Sequence, residues 1–356
     1  MIILSPGPAN ISERVRNAML LPDICHRDSE FRELLKEIRK NILKVCNVGD
    51  GFKNAVFSGS GTLAVESALS ALTGWDKKVL IISNGAYGER ASAICRLHGV
   101  PNEEMRLPWG ELPDLNKVEA ELKKDHFGAV YIVHHETTTG LLNPLPDVAE
   151  IARRKGKLML VDGISSIAGE ALDLEGWGID MITGSANKCI RGVPGASFAV
   201  VSDRFIKEIE VCRNPIFYGD LLKYIDAEGN GETPFTPAVQ VFYAFREALR
   251  ETLEEGIDNR IKRYRVVAKR LRDGLVSIGL EFYIPEAAMS NTMTAVYLPD
   301  GFDYKTLHDR CKQRGYVIYP SQGDLARTTF RLGTVGIIAE RDIDNFLDVF
   351  RSIILP

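Results

Sequence analysis

Between residues 55 and 201, short apolar runs alternate with stretches of helical periodicity. Ala55-Val56-Phe57, Lys78-Val79-Leu80-Ile81-Ile82, Ala129-Val130-Tyr131-Ile132-Val133, Leu158-Met159-Leu160-Val161, Met181-Ile182-Thr183 and Ser197-Phe198-Ala199-Val200-Val201 read as strands. They are apolar along nearly their whole length, so both faces must be covered. Helical patterns fill residues 62–72, 88–97 and 145–155 between them. The alternation predicts an α/β fold with a mostly parallel sheet flanked by helices on both faces. Ligands of such sheets sit at the carboxyl ends of the strands.

After residue 237 the pattern changes. Long helices are expected over 238–254 and 257–276, strands near 292–298 and 328–332, and helices near 304–314 and 340–354. This reads as a smaller α+β unit. A chain of 356 residues is longer than one core usually sustains. The expected division is a large domain over 16–240 and a small domain of 241–356 that takes in the N-terminal segment 1–15.

Composition narrows the function classes. Lys plus Arg number 44 and Asp plus Glu 48, a formal charge of −4, which gives no electrostatic case for nucleic acid or an anionic membrane as partner. The first residues lack a basic leader, and no stretch approaches the roughly 20 apolar residues of a membrane span. A cytoplasmic protein is expected. The six cysteines lie far apart with no Cys-x-x-Cys pair, so reduced thiols are expected rather than a disulfide framework. His134 and His135 are adjacent, which on a strand turns them to opposite faces, and no metal site is expected.

Three features carry chemistry. Ser58-Gly59-Ser60-Gly61-Thr62 joins a strand to a helix. Glycines permit close backbone approach, and the first N–H groups of a helix attract an anion such as phosphate; a capped turn would look the same. Asp162 ends an apolar strand, where an acid needs a cleft or a partner. Lys188 follows another strand and enters the loop Ile190-Arg191-Gly192-Val193-Pro194-Gly195. A strand-end lysine of this kind can hold a carbonyl cofactor as a Schiff base, with a nearby carboxylate keeping a pyridine nitrogen protonated. Taken singly, a solvated lysine and a capping aspartate also fit. The order of anion loop, aromatic, acid and lysine shifts the balance. Arg331 interrupts an apolar strand, where its planar fork calls for a substrate carboxylate or an internal salt bridge.

The string Ser185-Ala186-Asn187-Lys188-Cys189-Ile190-Arg191-Gly192-Val193-Pro194-Gly195 resembles the cofactor-lysine motif of class V aminotransferases, nearest to their 2-aminoethylphosphonate–pyruvate branch. His135-Glu136-Thr137-Thr138-Thr139-Gly140, Val161-Asp162-Gly163-Ile164-Ser165-Ser166, Asn84-Gly85-Ala86-Tyr87-Gly88 and the opening Ser5-Pro6-Gly7-Pro8 point the same way, in the family's order. The resemblance implies a fold type I pyridoxal-phosphate (PLP) enzyme, with a large-domain sheet of the seven-stranded type, and a homodimer with active sites at the subunit boundary. Its substrates would be a small amino donor and a 2-oxo acid. By the same resemblance Lys188 binds the cofactor and shuttles a proton, and Asp162 pairs with the ring nitrogen. Tyr87 stacks on the ring, and Thr138 lies near its phenolic oxygen. Ser60, Gly61, Thr62 and Asn187 hold the phosphate, which Thr236 reaches from the other subunit. Arg331 takes the substrate carboxylate.

One stretch departs from the branch. Where a tryptophan-containing segment is expected, the chain reads Asp23-Ile24-Cys25-His26-Arg27-Asp28. His26 and Arg27 could serve a second substrate anion or the dimer interface, so the substrate's distal group stays open. An alanine- or serine–glyoxylate aminotransferase is the alternative activity. A lyase or desulfurase would need a reactive cysteine on a mobile loop, for which Cys189 and Cys311 are poorly placed.

Overall fold

The computed structural model describes residues 1–355. Its centre is a seven-stranded sheet in the spatial order Phe52–Ser58, Ala196–Ser202, Met181–Ser185, Leu158–Asp162, Phe127–Val133, Lys78–Ser83 and Asn102–Arg106. Ala196–Ser202 runs antiparallel to both neighbours, and the remaining pairings are parallel. Six strands therefore share one carboxyl edge.

Phe127–Val133, Leu158–Asp162, Met181–Ser185 and Ala196–Ser202 are buried at every residue, as their continuous apolar runs require. In strand Phe127–Val133, successive residues from Ala129 to Val133 enter opposite cores. Val130 and Ile132 meet Val118, Leu145 and Val148 on one face, while Ala129, Tyr131 and Val133 meet Ala91 and Ile94 on the other. The edge strand Asn102–Arg106 departs from the sequence pattern. It carries Asn-Glu-Glu-Met-Arg and pairs only with Lys78–Ser83, so it needs no apolar run. A 2.6 Å contact between Lys78 Nζ and Glu103 Oε1 lies across that pair.

A separate apolar cluster unites Leu4, Leu271, Leu307, Phe330, Phe346 and Phe350. It fills the space between helices Ile257–Ser277 and Glu340–Ile354 and the antiparallel sheet Met293–Tyr297, Thr329–Gly333, Tyr319–Pro320. Ile2–Ile3 pairs in parallel with Tyr316–Val317, which ties the start of the chain to this unit. Helix Val239–Glu255 runs across the expected boundary at residue 240 and buries Phe242, Phe245 and Leu249 in the large-sheet core. No helix among the described residues is long and apolar enough to cross a membrane.

Candidate active site

The carboxyl edge of the sheet gathers the turns after Ser58, Ser83, Val133, Asp162 and Ser185. Lys188 stands in the turn after Met181–Ser185. That turn is braced from beneath by Arg260, whose Nη1 donates to the carbonyls of Cys189 (3.0 Å) and Ile190 (3.3 Å). The Tyr264 hydroxyl adds a bond to the same Cys189 oxygen at 3.2 Å. Arg191 continues the turn at φ 65°, and its side chain joins Arg260 on the Glu255 carboxylate. A strained backbone is thus held by a buried ionic knot, and the lysine it carries is aimed rather than free.

The N-terminal segment lies across the lysine. Lys188 Nζ donates to Pro6 O at 2.9 Å, and Ala9 N donates to Asn187 O at 3.1 Å. Gly7, at φ 137°, is required here, because a Cβ would stand 2.5 Å from Lys188 Nζ. Burial, the main cause, pushes the Lys188 ammonium down from 10.5 to about 8; Arg331 and Arg90 act in the same direction and Asp162 opposes them. Near physiological pH a fraction of the amine is therefore neutral and nucleophilic, where an ordinary lysine is almost wholly protonated.

Asp162 ends its strand only 5% exposed. Its Oδ1 accepts from Ile164 N at 2.9 Å, and it forms no ion pair among the described residues. Burial raises the carboxyl from 3.8 to about 6, with the buried Glu136 adding to the effect. A buried acid without a cation is costly unless a bound group supplies one.

The ring-stacking candidate Tyr87 opens helix Ala86–His98. That helix start is capped by Glu136, a fully buried carboxylate absent from the expected roles. Glu136 Oε2 accepts from Tyr87 N (3.2 Å) and Gly88 N (3.3 Å), and Oε1 from Thr138 N (3.1 Å) and Thr138 Oγ1 (2.6 Å). Four donors converge on two oxygens, so the ionised form is the one that fits, although burial raises its pKa. Thr138 Oγ1 in turn accepts from Ala86 N at 3.1 Å. One acid thus fixes both Tyr87 and Thr138.

Ser60 is the N-cap of helix Gly61–Ser70; its side chain makes no cap bond and its carbonyl accepts from Leu63 N at 2.9 Å, which leaves the N–H groups of Gly61 and Thr62 open. Gly61 packs closely, since a Cβ would lie 2.6 Å from Ile164 Cδ1. Thr62 Oγ1 accepts from Arg90 Nη1 at 3.2 Å. Asn187 Oδ1 accepts from Ser185 Oγ at 2.7 Å. Thr236 is exposed, and its neighbour Ala238 donates through N to Ser58 Oγ at 2.9 Å, so the segment borders the Gly-Ser-Gly turn.

Arg331 is 1% exposed in strand Thr329–Gly333. Nε and Nη2 donate to Pro320 O at 2.9 and 2.7 Å, and Nη1 donates to Thr137 O at 2.8 Å. Among the described residues it has no carboxylate partner, so the internal salt bridge allowed by the sequence is not formed. One N–H on each of Nη1 and Nη2 remains, a fork matched to an oxyanion.

His26 and Arg27 are not among the side chains gathered at Lys188. Arg27 Nη1 instead binds Glu232 Oε2 at 2.9 Å and Thr233 O at 3.2 Å, in the segment that leads to Thr236. The cysteines are all unbridged, and no cluster able to hold a metal occurs among the described residues.

The site accepts PLP on chemical grounds. An amine whose pKa burial lowers suits an aldehyde, an uncompensated buried acid suits a ring cation, and an open helix start suits a phosphate. Lys188, Asp162, Tyr87 and the 60–62 turn are the residues that would hold it. The architecture is that of fold type I PLP-dependent transferases, and relatives narrow it further. The Aminotransferase class-V family model matches residues 14–319. The chain is similar to the 2-aminoethylphosphonate–pyruvate transaminase of Syntrophobacter fumaroxidans, 36% identical over 353 residues that cover 96% of this chain and 93% of the relative. The transaminase of the same name from Bacillus cytotoxicus is 36% identical, with 98% and 96% covered. Among solved structures, an alanine–glyoxylate aminotransferase from Nostoc sp. superposes with a TM-score of 0.93 at 28% identity, covering 99% of this chain and 94% of that one. This chain belongs to the class-V aminotransferase family and is a PLP-dependent transaminase.

Proposed function

We propose that the protein moves an amino group from 2-aminoethylphosphonate, or a related small amino donor, to pyruvate or a similar 2-oxo acid. The observation that carries this reading is the Arg331 fork. It is buried, fixed by three bonds to backbone carbonyls, and keeps one N–H on each of Nη1 and Nη2 without a partner. A transaminase must seat donor and acceptor in turn at one place, and a fork that reads only a terminal oxyanion serves both.

Bound PLP supplies an electron sink that acidifies the substrate's Cα proton and carries the amino group between the two half-reactions. The chain's own groups do the rest. Lys188 Nζ, pushed down to about 8, is the base that takes and returns the proton. Asp162 supplies the fixed negative charge that favours a protonated ring nitrogen. Tyr87 offers a flat face, and Glu136 holds it in place. Pro6 and Gly7 cover the lysine and keep bulk water from it. We further propose a homodimer, in which the exposed Thr236 reaches the cofactor phosphate of the other subunit, and two folding units with the large-sheet core and the C-terminal core as their centres.

The sulfur-transfer alternative is disfavoured by its thiols. Cys189 and Cys311 are buried and pushed up to about 12, which suppresses the reactive thiolate. The test is a donor panel of 2-aminoethylphosphonate, alanine, serine, aspartate and cysteate, each against pyruvate and glyoxylate. Conversion of the bound cofactor from its aldehyde to its amine spectrum by 2-aminoethylphosphonate is expected. Preference for alanine or serine with glyoxylate would overturn the donor assignment, and no spectral change with any donor would overturn transamination itself.

A further inference from the structure

Helix Ala86–His98 brings to the site a second cation that the roles above leave unused. Arg90 lies three residues beyond Tyr87, so the two side chains leave the same helix face. Arg90 Cζ stands 4.6 Å from the Tyr87 ring centroid, and Nη1 donates to Thr62 Oγ1 at 3.2 Å. Thr62 is the second residue of helix Gly61–Ser70, the helix whose N-cap side chain makes no bond. Arg90 is close enough to Asp162 and to Lys188 to lower the pKa of both. Among the described residues it forms no ion pair. A guanidinium has five N–H groups and Thr62 uses one, so most of the fork is unspent. A plain solvated arginine is the competing description. Arg90 is exposed, yet it is held at two points, on the Tyr87 ring and on Thr62, which costs rotamer freedom that a merely solvated arginine would keep.

We propose that Arg90 is a ligand for a tetrahedral oxyanion at the start of helix Gly61–Ser70, beside Thr62. This rests on the PLP-dependent reading above. Two sources carry the chemistry: the phosphate monoester of the cofactor, and the phosphonate of an aminophosphonate donor.

The test titrates the full-length, cofactor-free protein with PLP and, separately, with pyridoxal, which has the aldehyde and ring but no phosphate. Wild type, Arg90→Gln and Arg90→Lys are compared by absorbance, and KM is measured for 2-aminoethylphosphonate and for alanine. Wild type that fails to take up PLP at Lys188 overturns the functional reading and this proposal with it. Given wild-type uptake, R90Q should bind PLP about 10- to 100-fold more weakly, the value of one charge-assisted contact, with pyridoxal affinity unchanged. R90K should recover part of the loss, because it keeps the charge but not the fork. That pattern assigns the cofactor phosphate. Unchanged PLP affinity with a KM raised at least about tenfold for 2-aminoethylphosphonate, and not for alanine, assigns the donor's phosphonate. Equal weakening of PLP and pyridoxal would mean that Arg90 only braces Tyr87 and Thr62, and would overturn the proposal, as would no change in any of these quantities.

Discussion

Replacing Asp162 by asparagine is expected to stabilise the cofactor-free protein while abolishing transamination. The carboxyl is 5% exposed and receives one hydrogen bond, from Ile164 N to Oδ1 at 2.9 Å, which the asparagine oxygen can still accept. Burial lifts its pKa from 3.8 to about 6. That difference corresponds to about 3 kcal/mol between the protonated and ionised forms. The folded chain holds this proton more tightly than the unfolded chain does. At a pH below both values each state is protonated, and the residue costs nothing. As pH rises from about 4 to about 6 the unfolded state ionises first, stability falls, and the full cost persists at pH 7. Asparagine never ionises, so the cofactor-free variant should melt a few degrees above wild type at pH 7, and the advantage should shrink to a small fraction near pH 4. With PLP bound the order should reverse, because a protonated ring nitrogen gives the wild-type acid the counter-ion it lacks. Calorimetry of both proteins, with and without PLP, at the two pH values separates these cases. A cofactor-free variant that melts no higher than wild type at pH 7, or one that retains wild-type turnover, would refute the reasoning.

Other substitutions probe the remaining contacts. Glu136→Gln keeps the shape but sets an NH2 group against two of the four donors, at about 1–3 kcal/mol for each one left unsatisfied. Lower cofactor-free melting and weaker PLP binding are expected, and a variant that matches wild type in both would show that the cap is dispensable. Arg331→Lys retains the charge but loses the paired N–H groups and abandons carbonyl acceptors on Pro320 and Thr137. KM for both the amino donor and pyruvate should rise about 10- to 100-fold, and unaltered saturation curves would remove Arg331 from the substrate site. In the cofactor-free protein, labelling of Lys188 by trinitrobenzenesulfonate, followed by peptide mapping, should reach half its maximal rate near pH 8, since burial brings the amine to about that value. A midpoint near 10.5, the ordinary lysine value, would mean that the amine is solvated.

The sheet was legible because burial writes itself into sequence. Strands such as Phe127–Val133 and Ala196–Ser202 are enclosed on both faces, and only an unbroken apolar run satisfies that. Helix Glu340–Ile354 was readable from residue to residue because one face meets the C-terminal core through Ile343, Phe346, Phe350 and Ile353 while the other meets water. Asn102–Arg106 was hidden for the opposite reason. At an exposed edge, backbone pairing alone makes the strand, and its side chains carry no periodic signal.

The site divides along the same line. Lys188, Asp162 and Arg331 stood out because each is a charge in an apolar or glycine-lined setting, an anomaly visible within a few residues. Glu136 and Arg90 were not visible as functional groups because their partners are remote in sequence. Glu136 faces the start of a helix 48 residues earlier, and Arg90 faces a threonine 28 residues away. Arg90 on a helix looks like any solvated arginine until the fold sets Thr62 against it. The covering of Lys188 by Pro6 and Gly7 spans 182 residues and is just as invisible locally. Ser5-Pro6-Gly7-Pro8 marks the segment without saying what it touches. Strand-end chemistry can therefore be read from the chain, while the groups that orient it emerge only when separate carboxyl ends meet at one edge. The Arg331 fork, proposed above as the substrate anchor, follows the same rule: its two free N–H groups are defined by which carbonyls consume the others, and both acceptors lie outside its own strand.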